Sequence, residues 1–150
     1  MTPLTENFRL QFQRGLQQVS AELKQYKNPA ACWQTAPGIS NPAGNLALHL
    51  AGNLQHFIGA LLGQSGYQRN RELEFSAREV PLEQINRELE HAGKAIDQVL
   101  GNMTEAQLSA NYPVPFQEKT VQVDYMLLHL LAHLQYHLGQ INYHRRLLDR

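Results

Sequence analysis

Seven histidines occur in 150 residues, and four of them crowd into one stretch, Met126 to His144, at positions 129, 133, 137 and 144. A helix advances roughly 100° per residue, so these four occupy about one quarter of its circumference. Residues four apart are neighbours on a helix surface. His133 and His137 can therefore offer two ring nitrogens to one ion, as the paired histidines of a zincin helix do. His49, in NLALHLAGN, is the third candidate because it opens the polar strip of another helix. Three imidazoles from two helices leave coordination positions open, which suits a catalytic ion better than a structural one. Zinc, nickel and ferrous iron all accept imidazole, so the expected cofactor is a divalent metal, zinc or nickel ahead of iron. The lack of a neighbouring cysteine and of a glutamate directly after His133 counts against a zinc finger and a zincin protease.

The other histidines have several readings. His129, one turn before His133, is a fourth ligand, a partner orienting a ligand, a general base or a plain structural group. His56 and His144 lie about two turns from a favoured ligand and read as supporting or structural, and His91 as solvent-facing. Gln140, Asn53 and Asn142 are candidates to orient imidazoles. A single histidine on an apolar helix is ordinarily a hydrogen-bonded core group, and a metal-free bundle of such groups is the plain alternative. Nothing near Cys32 lowers its pKa, which argues against a nucleophile. The charged run Arg69 to Glu79 reads as a solvated face without chemistry.

Four amphipathic helices must position these residues. The first is expected over Thr5 to Lys27, with Leu4, Phe8, Phe12, Leu16, Val19 and Leu23 on its apolar face. A connection over 28–44 rich in proline and glycine follows, with Trp33 as a plug over one end of the core or, competing with that, a pocket wall. The second helix runs from Pro42 or Asn45 to Leu62, stopped by Gly63 and Gly66. Gly52 and Gly59 inside it point to close approach of a neighbouring helix, since each costs roughly 1 kcal/mol against alanine. Tyr67 to Val80 reads as an exposed connection carrying a short helical turn. The third helix spans Pro81 to Leu100. After a short helical piece at Thr104 to Leu108, YPVPFQEKTVQVD reads as extended or hairpin-like. Thr120 or Asp124 is expected to cap the fourth helix. The fold class is all-α, a four-helix bundle with long connections.

The length suits one domain, 1–150, able to bury a sizeable core. Thirteen basic and thirteen acidic residues balance to zero net charge, which leaves no footprint for nucleic acid or an anionic membrane. One cysteine excludes an internal disulfide framework. With no signal-like N-terminus and no run of membrane-spanning length, the expected location is the cytoplasm.

The pieces NLALHLAGN and LLHLLAHLQYHLGQINYHRR resemble the DinB-like superfamily, also called YfiT-like metal-dependent hydrolases, and the likeness covers nearly the whole chain. The Trp33 to Gly38 connection, H-L-x-G-N at His49 to Asn53 and H-x-x-x-H-x-G-Q at His133 to Gln140 occur in the family's order. The resemblance implies a bundle whose single divalent metal is held by three histidines, here His49, His133 and His137. The family often has H-R-G-Q, and Leu138 replaces that arginine. Members with assigned activity include bacillithiol- and mycothiol-dependent S-transferases. The expectation is a metal-dependent enzyme of thiol S-transferase or hydrolase type acting on a small molecule, with a low-molecular-weight thiol as cosubstrate. Thiol transfer leads because no carboxylate base is evident beside the histidines. His129 is the first candidate for proton transfer. The alternative is a non-catalytic, dimeric stress-response bundle that binds metal or ligand, and a homodimer is the expected assembly.

Overall fold

The computed structural model describes residues 1–150 and contains six α-helices and no strand longer than an isolated bridge. Helix α1 is Pro3–Lys24, and a 3₁₀ turn follows at Pro29–Trp33. Helix α2, Ala43–Leu54, runs on without a break into a π-helical segment, Gln55–Ala60. Helix α3 is Arg71–Ser76, α4 is Leu82–Gly101, α5 is Glu105–Leu108 and α6 is Val123–Leu148. The four long helices are those expected from the apolar periodicity. Helices α1 and α2 each pack against both α4 and α6 and meet each other only slightly, so they occupy opposite corners of the bundle. Phe12, Leu50, Ile96 and Leu130 represent the four helices in a fully buried core. No helix is long and apolar enough to cross a membrane.

The boundaries follow local chemistry. Helix α1 begins earlier than expected because Thr2 caps it: Thr2 Oγ1 accepts from the Thr5 amide, and Thr5 Oγ1 accepts from the Thr2 amide. Leu4, assigned to the inner face from spacing, lies in that first turn and is half exposed. Neither Thr120 nor Asp124 caps α6. Gln122 occupies the cap position but turns its side chain to the Ser109 carbonyl instead of the helix amides, and the Val123 amide donates to the Ala110 carbonyl at 2.9 Å, so a loop oxygen replaces the cap. The segment 109–122 is hairpin-like, with bridges Asn111–Gln122 and Phe116–Lys119. Its turn residues Gln117 and Glu118 both take left-handed φ, +48° and +64°.

Trp33 fills both of its expected roles. Its ring lies where a Cβ on Gly44 would be, closing the start of α2, and it also lines an apolar cavity of about 350 Å³ with Leu23, Tyr26, Cys32 and Ile85. Burial pushes the Cys32 thiol up to about 11, so Cys32 is a packing residue rather than a nucleophile. At the other side of the helix ends, Asp149 accepts hydrogen bonds from the Lys27 and Asn28 amides at 2.6 and 3.0 Å, tying the chain after α6 to the chain after α1.

Candidate metal centre

Helix α6 presents His133 and His137 one turn apart, and α2 brings His49 to face them across the bundle. Their nearest ring nitrogens lie within 4.8 Å of one another. His133 Nε2 is 3.2 Å from His49 Nε2 and 3.1 Å from His137 Nε2. Two nitrogens at that separation, each roughly 2.0–2.1 Å from one ion, subtend an angle of about 100°, between tetrahedral and octahedral values. The three rings meet nearly edge to face, with interplanar angles of 79°, 87° and 89°.

The hydrogen bonds behind the rings determine which nitrogens have free lone pairs. His137 Nδ1 donates to Gln140 Oε1 at 2.7 Å, which leaves its Nε2 unprotonated. His49 Nδ1 donates to Glu74 Oε1 at 3.0 Å, with the same result. Arg69 Nη2 also lies 3.2 Å from His49 Nδ1, but a guanidinium only donates and this one is already committed to Glu74. Two lone pairs thus converge on His133 Nε2, whose single possible proton can satisfy only one of them. A cation satisfies all three nitrogens, so the residues fit a metal. Burial, then the neighbouring His137, His49 and His129 and the Arg69 guanidinium, push His133 down to about 4. Burial likewise lowers His137, against the opposing bond to Gln140. Both imidazoles therefore stay in the neutral form that binds metals. The two buried side-chain atoms without a partner, His133 Nδ1 and Asn53 Oδ1, belong to these same two helices.

Glu74 corrects the reading of Arg69 to Glu79 as a solvated face. The segment folds back over α2 because Asn45, fully buried, donates from Nδ2 to the carbonyls of Glu74 and Ala77 at 3.0 and 2.8 Å. Arg78 Nη1 donates to Asn45 Oδ1 at 3.0 Å from the other side. Helix α3, capped by Asn70, then lowers Glu74 onto α2. There the carboxylate accepts two bonds of 2.9 Å from Arg69 Nε and Nη2, besides the one from His49. Burial alone would raise Glu74; the bonds from His49 and Arg69 outweigh it and hold the carboxyl below its ordinary range. Gly52 makes room for this, since a Cβ there would overlap the carboxylate. Gly59 conforms to the helix-approach reading and faces Ala95 of α4. Glu74 and Arg69 escaped sequence reasoning because a loop fold-back has no period; the glycine in mid-helix was the one local sign.

The remaining histidines separate clearly. His129, half-buried, stacks 6.4 Å from the His133 ring, and the hairpin brings the Phe116 ring to 4.4 Å from it. His56 stands at the start of the π segment outside the convergent three; its ring packs on Phe57, and burial, then the Arg69 guanidinium, lower its pKa against the opposing Glu74 carboxylate. His144 is a core link: its Nε2 donates to the Gln34 carbonyl at 2.8 Å and its Nδ1 accepts from Tyr26 Oη at 2.6 Å. His91 is more than half exposed. Asn142 orients no imidazole; it donates to Glu22 on α1 at 2.7 Å. Leu138, in the place of the family's arginine, lies towards α1 in a hollow with Gln18 and Glu22.

No curated protein is similar enough to this chain to count as a relative. The DinB superfamily matches residues 11–141, a span that contains all three convergent histidines, Glu74 and the hairpin. The chain belongs to the DinB superfamily.

Proposed function

We propose that the chain is a metal-dependent enzyme of thiol S-transferase or hydrolase type acting on a small molecule, with His49, His133 and His137 as ligands of one divalent ion. The observation that carries this reading is the convergence of three Nε2 atoms, two with lone pairs directed by Glu74 and Gln140. Bound there, a divalent cation supplies Lewis acidity that brings a coordinated thiol or water towards a neutral pKa. The protein's own groups do the rest. Glu74 holds the His49 ring in one tautomer and orientation from behind. Engaged with both Arg69 and His49, it is not free as a general base, which supports the thiol reading over hydrolysis. His129 is the group for proton transfer, one turn from His133. Phe116 and Tyr136, whose ring is 5.3 Å from that of His137, flank the histidines with aromatic surface.

Two measurements test this. Elemental analysis of protein made without a polyhistidine tag should find about one divalent ion per chain, lost in His133→Ala, and chelation should lower Tm by linkage. Metal-loaded protein, offered a panel of low-molecular-weight thiols and an electrophilic acceptor, should form the thioether. Turnover that persists in His137→Ala would remove the mechanism.

A further inference from the structure

Helix α6 carries no Lys, Arg, Asp or Glu between Asp124 and Arg145. Its inward face is accounted for by the core and by His144, and His133 and His137 by the candidate metal centre. A third face remains. Tyr125, Leu128, Tyr136, Tyr143 and Leu147, each 46–65% exposed, follow one another at helical spacing, with exposed Ala132 and Gly139 between them. They form one stripe roughly 33 Å long. Gly139 has no purpose within the chain: nothing lies within 4 Å of the position its Cβ would take, although glycine is disfavoured in a helix interior.

We infer that this face binds a second copy of the chain, α6 against α6 in antiparallel register about Tyr136. A parallel pairing would also match sizes, each residue meeting its own copy, but it would set Asp124 against Asp124 and Arg146 against Arg146, whereas the antiparallel register pairs opposite charges. About a two-fold axis at Tyr136, Tyr125 meets the second copy's Leu147 and Leu128 meets its Tyr143, large against large at both ends. Ala132 meets the second copy's Gly139, small against small, which lets the helices approach and gives the glycine its reason. Asp124 on one copy comes near Arg146 of the other on the same flank, an opposite-charge pair at each end. The five large side chains contribute on the order of 500 Å² per copy, so two copies reach about 1,000 Å², where specific interfaces begin. Three tyrosines in a charge-free centre match the composition of such interfaces. Tyr136, on the axis, also lies against His137, so the second copy walls one side of the metal centre.

Light scattering and sedimentation of the full chain, with chelator present, should give twice the chain mass at micromolar concentration. Gly139→Leu and Tyr136→Glu should each weaken the dimer on the order of 30-fold or more, as central interface residues do. Both should keep the wild-type circular dichroism, because nothing lies beside Gly139 and Tyr136, 65% exposed, meets its neighbour His137 without entering the core. Under mild oxidation Tyr136→Cys should link to itself. Tyr125→Cys should link to Leu147→Cys and not to itself. A monomer at every concentration, a dimer indifferent to both substitutions, self-linking of Leu147→Cys, or a monomer that instead partitions onto phosphatidylcholine–phosphatidylglycerol vesicles would each overturn the inference.

Discussion

Replacing Glu74 by glutamine isolates the layer that supports the histidines. The carboxylate is 7% exposed, and its partners are an arginine side chain 12% exposed and an imidazole 7% exposed. Glutamine keeps the shape and removes the charge. It also turns one acceptor oxygen into a donor facing either Arg69 or His49, both of which donate. Breaking a buried ion pair by removing one partner costs roughly 3–5 kcal/mol. Arg69 keeps some solvent contact, so the lower end applies, and about 3 kcal/mol in a chain of this size lowers Tm by roughly 6–12 °C. The metal term is separate. Loss of the group that orients a ligating histidine typically weakens binding 10–100-fold, about 1.4–2.7 kcal/mol.

Calorimetric melting in chelator reads the first quantity, and titration of the apoprotein with zinc or nickel reads the second. Glu72→Gln, on the exposed side of α3, serves as the silent control. The coupling between Arg69 and Glu74 is visible in a double replacement. Arg69→Met with Glu74→Leu should lose clearly less stability than the two single changes added, because neither charge is then left buried alone. Its metal affinity should stay low, since His49 Nδ1 still lacks its acceptor. If Glu74→Gln melts within a degree of the wild type and binds metal within twofold, the carboxylate does not orient His49 and the derivation fails.

Two further outcomes follow from contacts away from the metal. Tyr26→Phe leaves His144 Nδ1 buried without a donor, which should cost about 1–3 kcal/mol and lower Tm while metal affinity is unchanged; an equal loss of affinity would mean that His144 belongs to the centre. The Asp149 carboxyl is held below its ordinary value by the Lys27 amide first and the Asn28 amide second. Its folded pKa is depressed, so its contribution is present above the unfolded Asp pKa and lost as pH falls through the lower folded value. Amide exchange at Lys27 and Asn28 should therefore quicken through that acid window in the wild type, and be fast already at neutral pH in Asp149→Asn.

The three convergent histidines were legible because helical periodicity is a one-dimensional code. A spacing of four put His133 and His137 together without tertiary knowledge, and the polar strip on the second helix singled out His49. The same code misled at the helix ends. Leu4 keeps the apolar spacing but lies in a first turn with nothing above it, and Asp124 has the chemistry of a cap where a loop carbonyl does the capping. Glu74 lies beyond such a code altogether. It is 25 residues from His49, in a stretch whose charges read as solvent-facing, and it reaches the imidazole only because Asn45 gathers two carbonyls of the loop. What the sequence did carry was the complementary gap. Gly52 sits one turn after His49 in a helix where alanine would be better, and Gly139 sits one turn after Gln135 in another. The first gap is filled by the Glu74 carboxylate and the second is open. For Gly52 the group that comes close is the Glu74 carboxylate of the same chain, and for Gly139 the proposed dimer supplies it from a second copy.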